Sequence, residues 1–542
     1  MKPLEESQLS DAPTSGQSPK PARDFVSACQ GKRWTSLVLG VAVLIYAATV
    51  ISHWSQAYID FGDGNYLYIC WRLSEGATLY RDVLAPQPPM HFFVGWVLAK
   101  LASLAGLPML YVFRGFSVLL HASMALLVAS FAQRVALIGG NEKTCHTIGA
   151  LAGIFYLLAP IGFWWSLGYQ SEPLEILFLY GALFVLLKDR RPAAAVGAGV
   201  FAALACLTNM TAAPYACLFV LYLFARERRL CLPFLIGLCV PCVSVTLLLE
   251  LKTGAYLENV IFNQVGSFPR REFLPPGQNL LTYAWGKITS EGRDILTLEG
   301  GLIVLALVGL LRLLRAAQRA PQLELFSWAA LTLMASVVYV AKGGTMDYIF
   351  TIGEPIVAVL AALVVADLGE GYRALRKSSL LRNTIPLAYL TGAAGLALVV
   401  FAPGLGFIAR TLRQETFELD EYRTRQVVEL MQQHSAPDNE VLSPPFYAFL
   451  ARRRIVADYS EIFLWTLKYY NEKQDQIHGR GVTAVEQIAS ALEAKKIAFV
   501  TLDLDQTGRI REIKAAIERN YRPLRQSALR TLNTRLMFYV PQ

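Results

Sequence analysis

YIDFGDGNYLYICWRLSEGATLYRDVLAPQPPMHFFVGW, residues 58–96, links the first long apolar segment to the next and carries four carboxylates, Asp60, Asp63, Glu75 and Asp82. It ends on Pro88-Pro89, and the apolar run behind that pair, 90–106, is short and interrupted by Lys100. Whether this run crosses a bilayer decides the side of every later charge. If it crosses, the basic clusters downstream fall outside; if it lies in the interface or dips in and returns, they fall inside. Cytoplasmic loops carry the excess of Lys and Arg, so segment 90–106 is read as not crossing.

The remainder of the chain follows from that choice. Of 542 residues, 54% are hydrophobic and only 17% charged, and the apolar residues come in blocks of about 17 to 25, enough to cross a bilayer as a helix. The expected fold is a polytopic α-helical membrane protein with about 11 spans. The spans fall near 34–52, 110–133, 147–164, 173–187, 193–208, 211–225, 231–251, 300–316, 323–341, 349–366 and 384–402. Each inner turn is then basic, as with Lys188, Arg190 and Arg191 or Arg226, Arg228 and Arg229.

Three regions are expected. Residues 1–33, rich in Ser, Pro and charge, read as a disordered cytoplasmic tail. Residues 34–403 form the membrane domain, with outer loops 53–109 and 252–299. Residues 404–542 alternate helical and strand-like patterns: a helix over 410–433, a strand from Glu440, a helix from Ala484, a β-run from Ile497, a helix over 511–519 and a strand over 536–540. That alternation predicts an α/β soluble domain, on the outer face by parity.

Composition excludes several classes. The net charge of +9 sits in short clusters between apolar runs, not on one surface, which argues against nucleic acid. Cys206, Cys217, Cys231, Cys239 and Cys242 fall in apolar runs and only Cys70 in an outer loop, so no disulfide framework is implied. None of the six histidines has a partner at ligand spacing. There is no Walker loop, no GxGxxG and no GxSxG, which leaves chemistry driven directly by a nucleotide unsupported.

The candidate residues lie on the outer face. Asp63 precedes NYLYICWRL and is either a catalytic acid or the N-cap of that helix; Asp60 stands three residues upstream as a fallback. Glu172, in SLGYQSEPLEILF, is either a charge at a helix start or the second acid of a cleft. Arg270, Arg271, Lys287, Arg293 and Lys342 are the cations available to a phosphate. Arg114, early in the second span, either snorkels or pairs with an acid of the first loop. Glu75 and Asp82 read as structural charges, Arg72 and Arg81 as solvated ones.

The first loop, with Asp63, Glu75-Gly76, Tyr80-Arg81-Asp82 and Pro88-Pro89 before a short apolar segment, resembles the GT-C superfamily of polyprenyl-phosphate-sugar glycosyltransferases, with protein mannosyltransferases and lipid A aminoarabinose transferases the nearest in pattern. Ser171-Glu172-Pro173 looks like that family's second outer acid, and KGGTMDYIFTIGEP from Lys342 like its late motif. The similarity spans roughly 34–401. It implies an inverting transfer of a sugar from a polyprenyl-phosphate donor to a hydroxyl of a lipid, glycan or protein acceptor, with Asp63 as general base, Glu172 orienting hydroxyls and the outer cations receiving the phosphate. It further implies an integral protein of a bacterial inner membrane, active on the periplasmic face, with no certain cofactor and a divalent metal left open.

Two departures stand out. Gln87 precedes the Pro pair where relatives have Lys or His, and Gly64 follows Asp63 where many carry a second acid. A transporter or lipid flippase, the rival class, would concentrate charge at the bilayer midplane and show inverted repeats; here the charges collect at the outer edge. A non-catalytic scaffold is the other alternative.

Overall fold

A computed structural model describes residues 22–52, 63–83, 87–139, 142–262, 279–317, 350–377, 401–411, 419–459, 484–503, 510–530 and 535–542, with a few single positions beside them. Its N-terminal part is helical: α1 (Ala22–Ile51), α2 (Asp63–Ser74), α3 (Met90–Ala105), α4 (Met109–Ile138), α5 (Cys145–Leu157), α6 (Pro160–Trp165), α7 (Glu172–Lys188), α8 (Pro192–Thr208), α9 (Ala213–Arg226), α10 (Arg228–Thr253), α11 (Leu280–Ala317) and α12 (Glu354–Lys377). Proline opens several of these, at Pro160, Pro173, Pro192 and Pro214, where its missing N–H costs nothing and its fixed φ suits the first turn. Helix α3 ends on Gly106 at φ 65, a left-handed cap that no other residue adopts as readily.

Helices α4, α5, α7, α8 and α12 share one apolar core, to which α1 contributes Leu39, Tyr46 and Val50. Small residues let them approach closely: a side chain at Gly199 or Gly237 would run into the backbone of the facing helix, α10 or α8. The outward faces stay apolar, with Leu44, Leu104, Leu221, Leu248 and Leu251 exposed. Among the described residues, four helical stretches are long and apolar enough to cross a membrane: Trp34–Ile51, Met109–Ile138, Arg228–Thr253 and Gly292–Leu314.

The C-terminal part contains α13 (Glu421–His434), α14 (Pro445–Ala451), α15 (Ala484–Glu493) and α16 (Arg511–Asn520) around β1 (Glu440–Leu442), β2 (Arg454–Ile455), β3 (Ile497–Asp503), β4 (Tyr521–Arg530) and β5 (Arg535–Pro541). The strands form one mixed sheet in the order β2-β1-β3-β5-β4. β1 runs parallel to β2 and β3, and β5 antiparallel to β3 and β4. Its apolar core is continuous with that of α2, α3 and the start of α4: Tyr68, Phe92 and Phe113 belong to the same cluster as Phe446, Ile455 and Phe499.

Several expectations need correcting. Within the expected outer loop 252–299, residues 280–299 are helical, because α11 starts at Leu280 and its first turns carry no proline to stop them. The tail expected through residue 33 is already helical from Ala22. The span over 147–164 is two helices, interrupted before Pro160. The helix over 410–433 does not run through: Asp420 caps a new start at Glu421, its Oδ1 accepting the Arg423 N–H at 2.7 Å. Cys70 lies in α2, fully buried, and not in a loop. The expected span 323–341 and nearly all of 384–402 lie outside the described residues.

Candidate active site

Asp63 opens α2 and its side chain has no exposure. Its two oxygens are held from different directions: Oδ1 accepts the Tyr169 N–H at 2.6 Å and Oδ2 accepts Arg114 Nη2 at 2.7 Å. Arg114, on α4, is itself 1% exposed, and its guanidinium lies 5.4 Å from the centre of the Phe446 ring. Of the two readings open for Arg114, the structure has the ion pair. An arginine in such a place requires it, since a buried charge is tolerated only when paired and hydrogen-bonded. The same pairing commits to Asp63 a side chain that was also a phosphate-binding candidate.

Tyr169 ties this pair to α3. Its hydroxyl donates to the His91 carbonyl at 2.6 Å and its ring meets Phe113 edge-on at 4.8 Å. His91, itself buried, packs its ring edge-on against Tyr66 at 4.5 Å.

Three residues beyond Tyr169, Glu172 begins α7. It is buried, and Oε1 accepts from Ser171 Oγ at 3.2 Å and Asn209 Nδ2 at 3.3 Å. One turn on, Glu175 has no exposure and Oε1 accepts from Thr211 Oγ1 at 2.6 Å. Asn209 also caps the short turn that follows α8, its Oδ1 accepting the Thr211 N–H at 3.2 Å. Glu172 thus sits in a polar cluster built from the α7 start and the α8–α9 junction, and is not the solvated charge that its place at a helix start allowed.

A second pair of acids comes from α11 and α12. Glu299 and Glu354, both buried, accept from the neighbouring Ile161 and Gly162 N–H groups at 3.0 and 2.7 Å. Glu354 falls in the late motif, which had pointed to Lys342. Neither it nor Glu175, Asn209 or Thr211 was singled out from sequence. Asn-Met-Thr ahead of Ala-Ala-Pro carries the capping signal that would have flagged Asn209.

The remaining candidates are dispersed. Asp60, Arg270, Arg271 and Lys342 lie outside the described residues. Lys287 falls early in α11, and Arg293 is exposed on the same helix. Gln87 is half-buried; its carbonyl accepts from Tyr80 Oη at 2.9 Å. Arg72, read as solvated, is instead bound to Asp458, whereas Arg81 is exposed beside Asp82. Among the described residues no three His, Cys, Asp or Glu side chains converge as a metal site.

No family model matches the chain, and no curated protein does. Solved structures do. ArnT from Cupriavidus metallidurans, bound to undecaprenyl phosphate, superposes with a TM-score of 0.59 over 93% of this chain and 97% of its own, at 16% identity. The chain has the fold of that structure. An oligosaccharyltransferase from Archaeoglobus fulgidus tethered to an acceptor peptide gives 0.56 over 94% of this chain and 74% of that one, at 12% identity. AglB from the same organism, with an inhibitory peptide and a dolichol-phosphate, gives 0.53 at 14% identity, covering 91% and 73%.

Proposed function

We propose that this protein is a GT-C glycosyltransferase that moves a sugar from a polyprenyl-phosphate carrier to an acceptor hydroxyl, with inversion, at the periplasmic face of a bacterial inner membrane. The membrane domain would supply about 11 spans, with 404–542 as an outer soluble domain. The observation that carries this reading is the buried Asp63–Arg114 pair at the start of α2, set in a fold whose solved examples include one bound to undecaprenyl phosphate and one in complex with a dolichol-phosphate.

The chemistry asks little of the protein beyond placement and charge. The acceptor hydroxyl gives its proton to a carboxylate as its oxygen bonds to the anomeric carbon from the face opposite the leaving group. The bond from that carbon to the phosphate oxygen breaks, and the polyprenyl phosphate departs with the electron pair. Asp63 is the proposed base. A carboxylate offers about four lone-pair sites, and the Tyr169 and Arg114 contacts occupy only two. Glu172, held by Ser171 and Asn209, would orient hydroxyls of donor or acceptor. Arg270, Arg271, Lys287, Arg293 and Lys342 would receive the phosphate, whose growing charge needs cationic donors.

One observation favours a second reading. Asp63 has no exposure and both oxygens are engaged, which also suits a structural pillar that leaves proton abstraction to Asp60. Transfer of labelled sugar from synthetic polyprenyl-phosphate sugars into membrane acceptors separates the two. If Asp63 is the base, Asp63→Asn lowers the rate by about 10²–10⁴ and Asp60→Asn has little effect; the reverse pattern assigns the base to Asp60. No transfer by the wild type from any such donor would refute the activity itself.

A further inference from the structure

The C-terminal part does more than sit beside α2. It grips the helix at both ends. At the N-terminal end, Phe446 of α14 packs so closely on Gly64 that an added Cβ would lie 2.9 Å from the Phe446 Cβ, and the Phe446 ring covers the Arg114 guanidinium. Farther along α2, the Asp458 carboxylate collects three hydrogen bonds from the helix: Tyr68 Oη to Oδ1 at 2.6 Å, Arg72 Nε to Oδ1 at 2.8 Å and Arg72 Nη2 to Oδ2 at 3.1 Å. The Tyr68 hydroxyl in turn accepts the Ile455 N–H at 2.8 Å. Arg452 lies 5.4 Å from the centre of the Trp71 ring and extends the same embrace.

The segment that makes these contacts is held in costly backbone conformations. Arg452, Ala457 and Asp458 have φ of 55°, 53° and 53°, the left-handed region that side chains disfavour. Such residues persist where surrounding contacts over-determine them, and they gather at sites with a mechanical or catalytic task. Asp458 also lies on the wall of a cleft of about 920 Å³ between the loop after α2 and helix α15. The clamp therefore borders solvent, unlike the Asp63 pair.

Along the helix, Arg72 is nine residues from Asp63, about 13.5 Å at 1.5 Å per residue. A bidentate arginine–carboxylate pair fixes orientation as well as distance, so a clamp at that end sets the axial position and rotation of α2. We propose that Asp458 is a positioning residue: through Tyr68 and Arg72 it fixes the register of α2, and so the placement of the Asp63 carboxylate, from a domain distant in sequence. This rests on the reading of Asp63 as the base. It also means that the region around 440–459 completes the site and is no detachable appendage.

The test is a double-mutant cycle on Asp458→Asn and Arg72→Gln in the full-length protein, read as kcat and donor KM in the transfer assay, with thermal midpoints in detergent. Expected is a fall in kcat of tenfold or more in each single variant, donor KM within twofold of wild type, and no further loss in the double variant, because both changes open one clamp. Asp458→Glu, which keeps the charge and both acceptors, should recover part of the rate. Losses that multiply in the double variant, or a kcat that simply tracks the thermal midpoint, would overturn the proposal. Asp63→Asn run alongside keeps the two ideas apart. Wild-type activity there refutes the base, whereas a dead Asp63→Asn beside fully active Asp458→Asn and Arg72→Gln refutes only the clamp.

Discussion

The two ends of α2 carry the same kind of ion pair in opposite surroundings. At its start, Asp63 and Arg114 are 0% and 1% exposed. Toward its end, Arg72 and Asp458 are 14% and 9% exposed and border an open cleft. The first pair has no water to fall back on, so losing one partner strands a charge in an apolar interior; the second can recruit solvent. A buried pair of the first kind is expensive to break and adds little stability over an apolar pair of the same size. The second pair gives geometry at moderate energetic cost, which suits positioning.

The sharpest way to break this contrast is at Arg114. Arg114→Met removes the charge facing Asp63 while keeping much of the packing against Phe446, and should destabilise the protein by about 3–5 kcal/mol, measured as the loss of thermal or denaturant resistance in detergent. Arg72→Gln should cost markedly less. Equal losses at the two sites would erase the distinction between the ends of the helix.

A smaller effect is expected from strain in the clamp. Ala457 sits at φ 53°, where an L residue costs roughly 1–2 kcal/mol, while glycine there costs roughly 0.4–1 kcal/mol in unfolded-state entropy. Ala457→Gly should therefore stabilise by about 0.5–1 kcal/mol, seen as a small rise in thermal midpoint. A fall would mean that the conformation is not strained.

The smallest effect belongs to a carboxylate of the same stretch that stands in solvent. The Arg81 guanidinium, with weaker help from Thr78, brings the Asp82 carboxyl down to about 2. A lowered carboxyl contributes stability above the ordinary aspartate value and loses it as pH falls through its folded value, so the contribution should fade between about pH 4 and pH 2. Both partners are well exposed, so it should be small and fade further in salt. Removal of Asp82 that flattened the whole acid profile would contradict this.

Much of this arrangement could be read from the chain. The helix start at Asp63 followed from an acid ahead of an apolar and aromatic run, and the start of α7 from Pro173, because capping and proline geometry are local. The partnership of Arg114 with an acid of the first loop was one of two open choices, since a lone arginine near a span end satisfies either. Asp458 was invisible: its partners Tyr68 and Arg72 are nearly 400 residues away in sequence, and nothing local marks it. Glu299 and Glu354 were likewise brought together only by the packing of α11 and α12 around α6. Helix α11 itself was hidden because exposed Thr289, Ser290 and Arg293 on its surface read as loop.

The central claim is that the acid at the buried end of α2 performs chemistry, and a stranded arginine would confuse its simplest test. The decisive measurement is therefore sugar transfer by the double variant Asp63→Asn, Arg114→Met, in which neither buried charge remains and folding should recover relative to Arg114→Met alone. The account predicts a folded protein, with a thermal midpoint near wild type, whose transfer rate is at or below about one hundredth of the wild-type rate. A folded double variant that transfers sugar at the wild-type rate would show that the Asp63–Arg114 pair is only a pillar and that the base lies elsewhere.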